Sequence, residues 1–93
     1  MKVYGSNTCP GTLNFLRILT ENGIMPDYVN VTGSIGLLKE FTMLRDTLPI
    51  YDEIRGSGRV GFPLIQTDDG EYTLDANAVL ESLGIAERID YKR

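Results

Sequence analysis

The sequence predicts a small α/β domain with element order β-α-β-α-β-β-α, in three layers around a four-stranded mixed sheet. Three observations carry this. Short β-prone runs alternate with amphipathic stretches of helix length. Two of those runs are joined by a helix, which implies a parallel strand pair with a right-handed crossover. Two others flank an Asp-Gly pair, the strongest short hairpin signal, and so add antiparallel strands to the same sheet.

In chain order, residues 2–5 (Lys-Val-Tyr-Gly) and 28–31 (Tyr-Val-Asn-Val) are too short for helices, are bounded by turn residues, and read as strands. Between them, residues 10–22 carry Leu13, Phe15, Leu16, Ile18 and Leu19 over a wide apolar arc, with Asn14, Arg17 and Glu21 on the opposite face. Gly23 supplies the stop. A second helix fits residues 34–48, capped by Ser34, with Leu37, Leu38, Phe41 and Leu44 facing inward and Pro49 beyond its end. Residues 55–61 form a glycine-rich loop within the domain. Residues 63–66 and 71–74 make the hairpin around Asp69-Gly70. Asp75 then caps a last helix over 76–83, which presents Ala76, Val79, Leu80 and Leu83 on one face and stops at Gly84. The domain is read as residues 1–84 and the polar stretch 85–93 as a tail that frays.

Composition narrows the chemistry. The 93 residues are 42% hydrophobic, enough for a core without a metal or disulfide staple. One cysteine and no histidine exclude an internal disulfide, an all-protein zinc site and a Cys-His pair. Any disulfide formed involves a second molecule. The start of the chain lacks the succession of a secretory signal, and no apolar run approaches spanning length, so a cytoplasmic protein with a reduced thiol is expected. A net charge of −4 without a basic run argues against nucleic acid and anionic membranes as partners.

Cys9 follows the first strand and precedes Pro10, a residue suited to the first helical position, so it falls at or beside the helix N-cap. Its sulfur is expected to face the free amides of Gly11 and Thr12 and the positive end of the helix dipole, which favour a thiolate. The alternative is a small buried hydrophobe. The strand-loop-helix context favours the reactive thiol. Thr12, one turn on and taken to lie near the surface, either hydrogen-bonds that thiolate or is a solvated or capping hydroxyl. It cannot do the work of a resolving cysteine. Phe62-Pro63 opens the third strand, and by base rate alone the bond would be trans.

Val3-Tyr4, then Cys9-Pro10-Gly11-Thr12 opening a helix, then Gly61-Phe62-Pro63-Leu64-Ile65, then Asp69-Gly70, together resemble the glutaredoxin family. The likeness runs from residue 2 to about residue 84 and implies a thioredoxin-like fold. It also implies a cis Phe62-Pro63 bond facing a nucleophilic Cys9, a glutathione groove, and reduction of mixed disulfides between proteins and glutathione. Thr12 stands where the family's resolving cysteine stands, which makes this a monothiol variant. Gly11 replaces the usual aromatic, Ser6 a common carboxylate-binding lysine, and Leu74-Asp75 a glycine pair. With Ser6 uncharged, Arg59 and Arg45 are the candidates for binding a carboxylate, as against simply being solvated.

Cys9 and Thr12 are therefore the candidate catalytic residues, and Pro10, Phe62, Pro63, Arg59, Arg45 and Asp75 the candidate substrate contacts. The expected function is a monothiol, glutathione-dependent thiol-disulfide oxidoreductase, acting as a monomer on glutathione or protein mixed disulfides, without a metal. Two rivals are a dimer holding an iron-sulfur cluster between two Cys9 thiolates and two glutathiones, and a non-catalytic binding module.

Overall fold

The computed structural model describes residues 1–90. The expected elements form in the expected order: β1 (Lys2–Gly5), α1 (Pro10–Glu21), β2 (Asp27–Asn30), α2 (Ile35–Thr47), β3 (Leu64–Gln66), β4 (Tyr72–Thr73) and α3 (Ala76–Ser82). Two short 3₁₀ helices, Val31–Gly33 and Pro49–Tyr51, were not anticipated. The four strands lie in the order β2-β1-β3-β4, with β1 parallel to β2 and antiparallel to β3, and β3 antiparallel to β4.

Strand alternation sends neighbouring side chains to opposite faces of this sheet. Val3 and Ile65, paired across β1 and β3, join Phe15, Ile18 and Leu19 of α1 and Ala76, Val79 and Leu80 of α3 in one cluster. Tyr4 and Leu64, the next pair, join Val29, Val31, Phe41 of α2, Tyr51 and Ile54 in a second. The fold is thus a mixed α/β sandwich, with α1 and α3 on one face and α2 on the other. Among the described residues no helix is long and apolar enough to cross a membrane.

Local chemistry explains the element ends. α1 starts on Pro10, whose missing N–H would be unpaired there anyway. It closes with Gly23 N–H donating to Thr20 C=O and Ile24 N–H to Leu19 C=O, a Schellman pattern that α3 repeats with Gly84 to Glu81 and Ile85 to Leu80. Ser34 accepts from Leu37 N–H and Asp75 from Ala78 N–H, the two side-chain caps that the sequence indicates. At the other end of α2, the Arg55 guanidinium donates to the carbonyls of Arg45 and Leu48, each at 2.6 Å, groups a helix terminus leaves unpaired.

Several expectations need correction. Leu13, Leu38 and Leu83 are 46%, 41% and 42% exposed, because each helix buries only the stripe that meets the sheet. The chain beyond Gly84 does not fray at once: Ile85 and Ile89 are buried in the α1–α3 cluster. The Asn77 side chain donates to Ile89 C=O and accepts from Ile89 N–H, satisfying both backbone groups. The packed unit therefore extends through Ile89, where two isoleucines in a polar stretch outweigh its composition. The rest of the expected tail, residues 91–93, lies outside the described residues.

Candidate active site

Because β1 and β2 run parallel with Gly5 opposite Asn30, the segments that leave both strands emerge side by side at one end of the sheet. That end carries Cys9. The cysteine is the N-cap residue of α1, in extended conformation at φ −99° and ψ 115°, and its backbone C=O accepts from Leu13 N–H. Its side chain takes no capping hydrogen bond from the first-turn amides. Instead the half-buried Cys9 opens on a cavity of about 420 Å³, lined by Ser6, Thr8 and Thr32 on one side and by Arg59, Val60, Gly61 and Phe62 on the other.

Hydroxyls and amides order the first wall. Thr32 Oγ1 donates to Asn30 Oδ1 at 3.2 Å, which also accepts Asn7 N–H at 3.1 Å. Ser6 is only 2% exposed, and its Oγ lies 2.7 Å from Thr32 Oγ1 and 2.8 Å from Thr8 Oγ1. Since each hydroxyl has one proton and Thr32 gives its own to Asn30, Ser6 donates to Thr32 and Thr8 donates to Ser6. Tyr28, half-buried on β2, donates to Asn7 Oδ1 at 2.7 Å. Burial, and then the negative charge of a nearby Cys9 thiolate, push the Tyr28 phenol above its ordinary range. Tyr28 and the Ser6–Thr8–Thr32 chain escaped the sequence reading. The parallel pairing of β1 with β2 was the signal that would have brought residues 6–9 and 30–32 together.

The second wall is the segment entering β3. The Phe62-Pro63 bond is cis, as the resemblance implies and the base rate does not. Phe62 lines the cavity while its ring packs on Phe41 at 4.8 Å; Pro63 is buried behind it. Arg59 lines the cavity too, and among the described residues its guanidinium has no ion-pair or hydrogen-bond partner.

The remaining candidates lie elsewhere or serve otherwise. Thr12 is fully buried rather than near the surface, and its hydroxyl accepts from Ser6 N–H at 3.4 Å. Arg45 is not free to take a carboxylate: Nε donates to Val60 C=O at 3.0 Å and a terminal nitrogen to Arg59 C=O at 2.7 Å. Asp75 caps α3 and does not line the cavity. Pro10 borders a separate groove of about 490 Å³ with Leu13, Arg17 and Ile89.

No protein-family model matches the chain, and no solved structure matches it. It is 32% identical over 73 residues to an uncharacterized protein of Haemophilus influenzae, a match that covers 78% of this chain and 85% of that protein. The chain belongs to the same family as that protein.

Proposed function

We propose that this chain, and with it the family it shares with the Haemophilus influenzae protein, is a glutaredoxin-like oxidoreductase of thioredoxin-like fold that works through a single thiol. The observation that carries this reading is the shared cavity, which the N-cap cysteine of α1 and the segment 59–62 both line. A thiolate there meets the positive end of the α1 dipole. It has an open approach for a second sulfur and a free guanidinium, Arg59, for a carboxylate carried by the incoming molecule.

In the reaction, the Cys9 thiolate attacks the glutathione sulfur of a protein mixed disulfide. The S–S bond breaks, a Cys9–glutathione disulfide forms, and the protein leaves as a thiolate that takes a proton from water. A second glutathione thiolate attacks the glutathione sulfur on Cys9, giving oxidised glutathione and restoring the Cys9 thiolate. Thr12 has no step in this cycle. The reading assigns the protein to the reducing cytoplasm as a monomer. The test is mass spectrometry after exposure to oxidised glutathione, together with glutathione-dependent reduction of a glutathionylated peptide. One glutathione on Cys9, and turnover abolished by Cys9→Ser, are the expected results. An unmodified Cys9, or turnover that survives Cys9→Ser, overturns the reading and leaves a binding module.

A further inference from the structure

The segment that shares the cavity with Cys9 has no regular secondary structure from residue 59 to residue 63, yet each residue of 59–62 is anchored from behind. Arg45 holds the carbonyls of Arg59 and Val60, and the Tyr51 hydroxyl donates to Gly61 C=O at 2.8 Å. The Phe62 ring packs on Phe41, which in turn meets Tyr51 edge-on at 6.0 Å. The Arg45 guanidinium lies over the Tyr51 ring at 5.9 Å, so the two anchors brace each other. Gly61 sits at φ +88°, and a Cβ there would stand 2.5 Å from Tyr51 Cε1. Glycine is thus required both by the backbone turn and by the approach to the ring.

Three carbonyls in succession turned to one side have a geometric consequence. The peptide bonds from Arg59 to Phe62 are trans, and in a trans peptide the N–H points opposite to the C=O. The amides of Val60, Gly61 and Phe62 therefore turn away from the clamp. Among the described residues none of the three donates a hydrogen bond within the chain. We infer that Arg45 and Tyr51 are positioning residues, which hold segment 59–62 so that its three free amides are presented as donors to an oxygen-bearing molecule, a carboxylate or peptide carbonyl, docking at Cys9. The inference rests on the oxidoreductase reading for its substrate. The clamp itself is tested without it.

Two variants remove the anchors while keeping the packing. Arg45→Met retains the aliphatic stem, and Tyr51→Phe retains the ring and leaves the charge unchanged. With a glutathionylated peptide as substrate, each is expected to raise KM by roughly tenfold with kcat unchanged, the mark of lost docking rather than lost chemistry. Arg45→Lys, with an ammonium in place of the fork, should recover only part of the effect. Unchanged KM in both variants, or a fall in kcat alone, overturns the inference. Should the wild-type protein turn over no glutathione disulfide, the oxidoreductase reading fails and the clamp is read from Cys9 itself. The rate with neutral, bulky 4,4′-dithiodipyridine is divided by the rate with small iodoacetamide. A change in that ratio of about threefold or more in both variants is expected if segment 59–62 has been released. The wild-type ratio in both overturns the inference by itself.

Discussion

Gly5→Ala tests how the first strand fixes the start of α1, and so where Cys9 lies. Gly5 is buried at the end of β1, and a Cβ on it would stand 2.4 Å from both Thr12 Cγ2 and Thr12 Oγ1 and 3.0 Å from Thr12 Cβ. Those atoms are not the free end of a flexible chain. Thr12 is β-branched, in the first turn of a helix and fully buried, so its rotamer has little room to change. The backbone must separate instead. Overpacking of this kind costs about 1–3 kcal/mol. Shifting Thr12 also forfeits its bond with the buried Ser6 N–H, for about another 1 kcal/mol. The sum is about 2–4 kcal/mol, which in a domain of this size lowers Tm by roughly 10–30 °C. Urea denaturation and thermal melting give the number directly. The double variant Gly5→Ala/Thr12→Ala removes the two closest atoms, so it should be more stable than the sum of the single effects by at least about 1 kcal/mol. A Gly5→Ala protein as stable as the parent, or strict additivity in the double variant, would refute the contact as the cause.

Ile89→Ala should cost about 2–5 kcal/mol, since Ile89 is 4% exposed within the α1–α3 cluster. Hydrogen exchange should show a protected Ile89 amide, and a stability equal to the parent's would mean that the tail frays from residue 85. Asp75→Ala should remove the cap on Ala78 N–H and cost about 1 kcal/mol in urea denaturation. No loss would show that bond to be idle. Burial drives the Tyr51 phenol well above its ordinary value of 10.0, and the phenol proton is the one given to Gly61 C=O. The folded state therefore holds a proton that the unfolded chain releases at lower pH. Stability from this group is complete below pH 10 and is lost as pH rises above it. Alkaline denaturation followed by circular dichroism should be less steep in Tyr51→Phe, and identical alkaline limbs in the two proteins would contradict the burial argument.

Much of the site was legible for a local reason. Proline at the first helical position, a short loop after a strand and one residue beyond a cysteine, fixes that cysteine as the N-cap without reference to the rest of the chain. The Asp69-Gly70 turn, the Ser34 and Asp75 caps and the glycine stops at 23 and 84 are equally local, each decided within a few residues. Arg45 shows where this ends. An arginine late in a helix looks like a free cation in sequence and gives no sign there that its guanidinium will reach the carbonyls of Arg59 and Val60. Ser6 stands out in sequence by what it lacks, a charge, yet its hydroxyl joins Thr8 to Thr32 beyond the ends of β1 and β2.

By itself the sequence determined the element order, the mixed sheet and the position of Cys9 at a helix start, because periodicity, caps and turn residues act over short separations. Only the tertiary structure decided which leucines are left in solvent, that the chain through Ile89 belongs to the core, and what surrounds the thiol. Those outcomes depend on groups far apart in the chain meeting across a strand edge or a helix end. There an unpaired carbonyl or hydroxyl takes whichever partner the packing brings within about 3 Å.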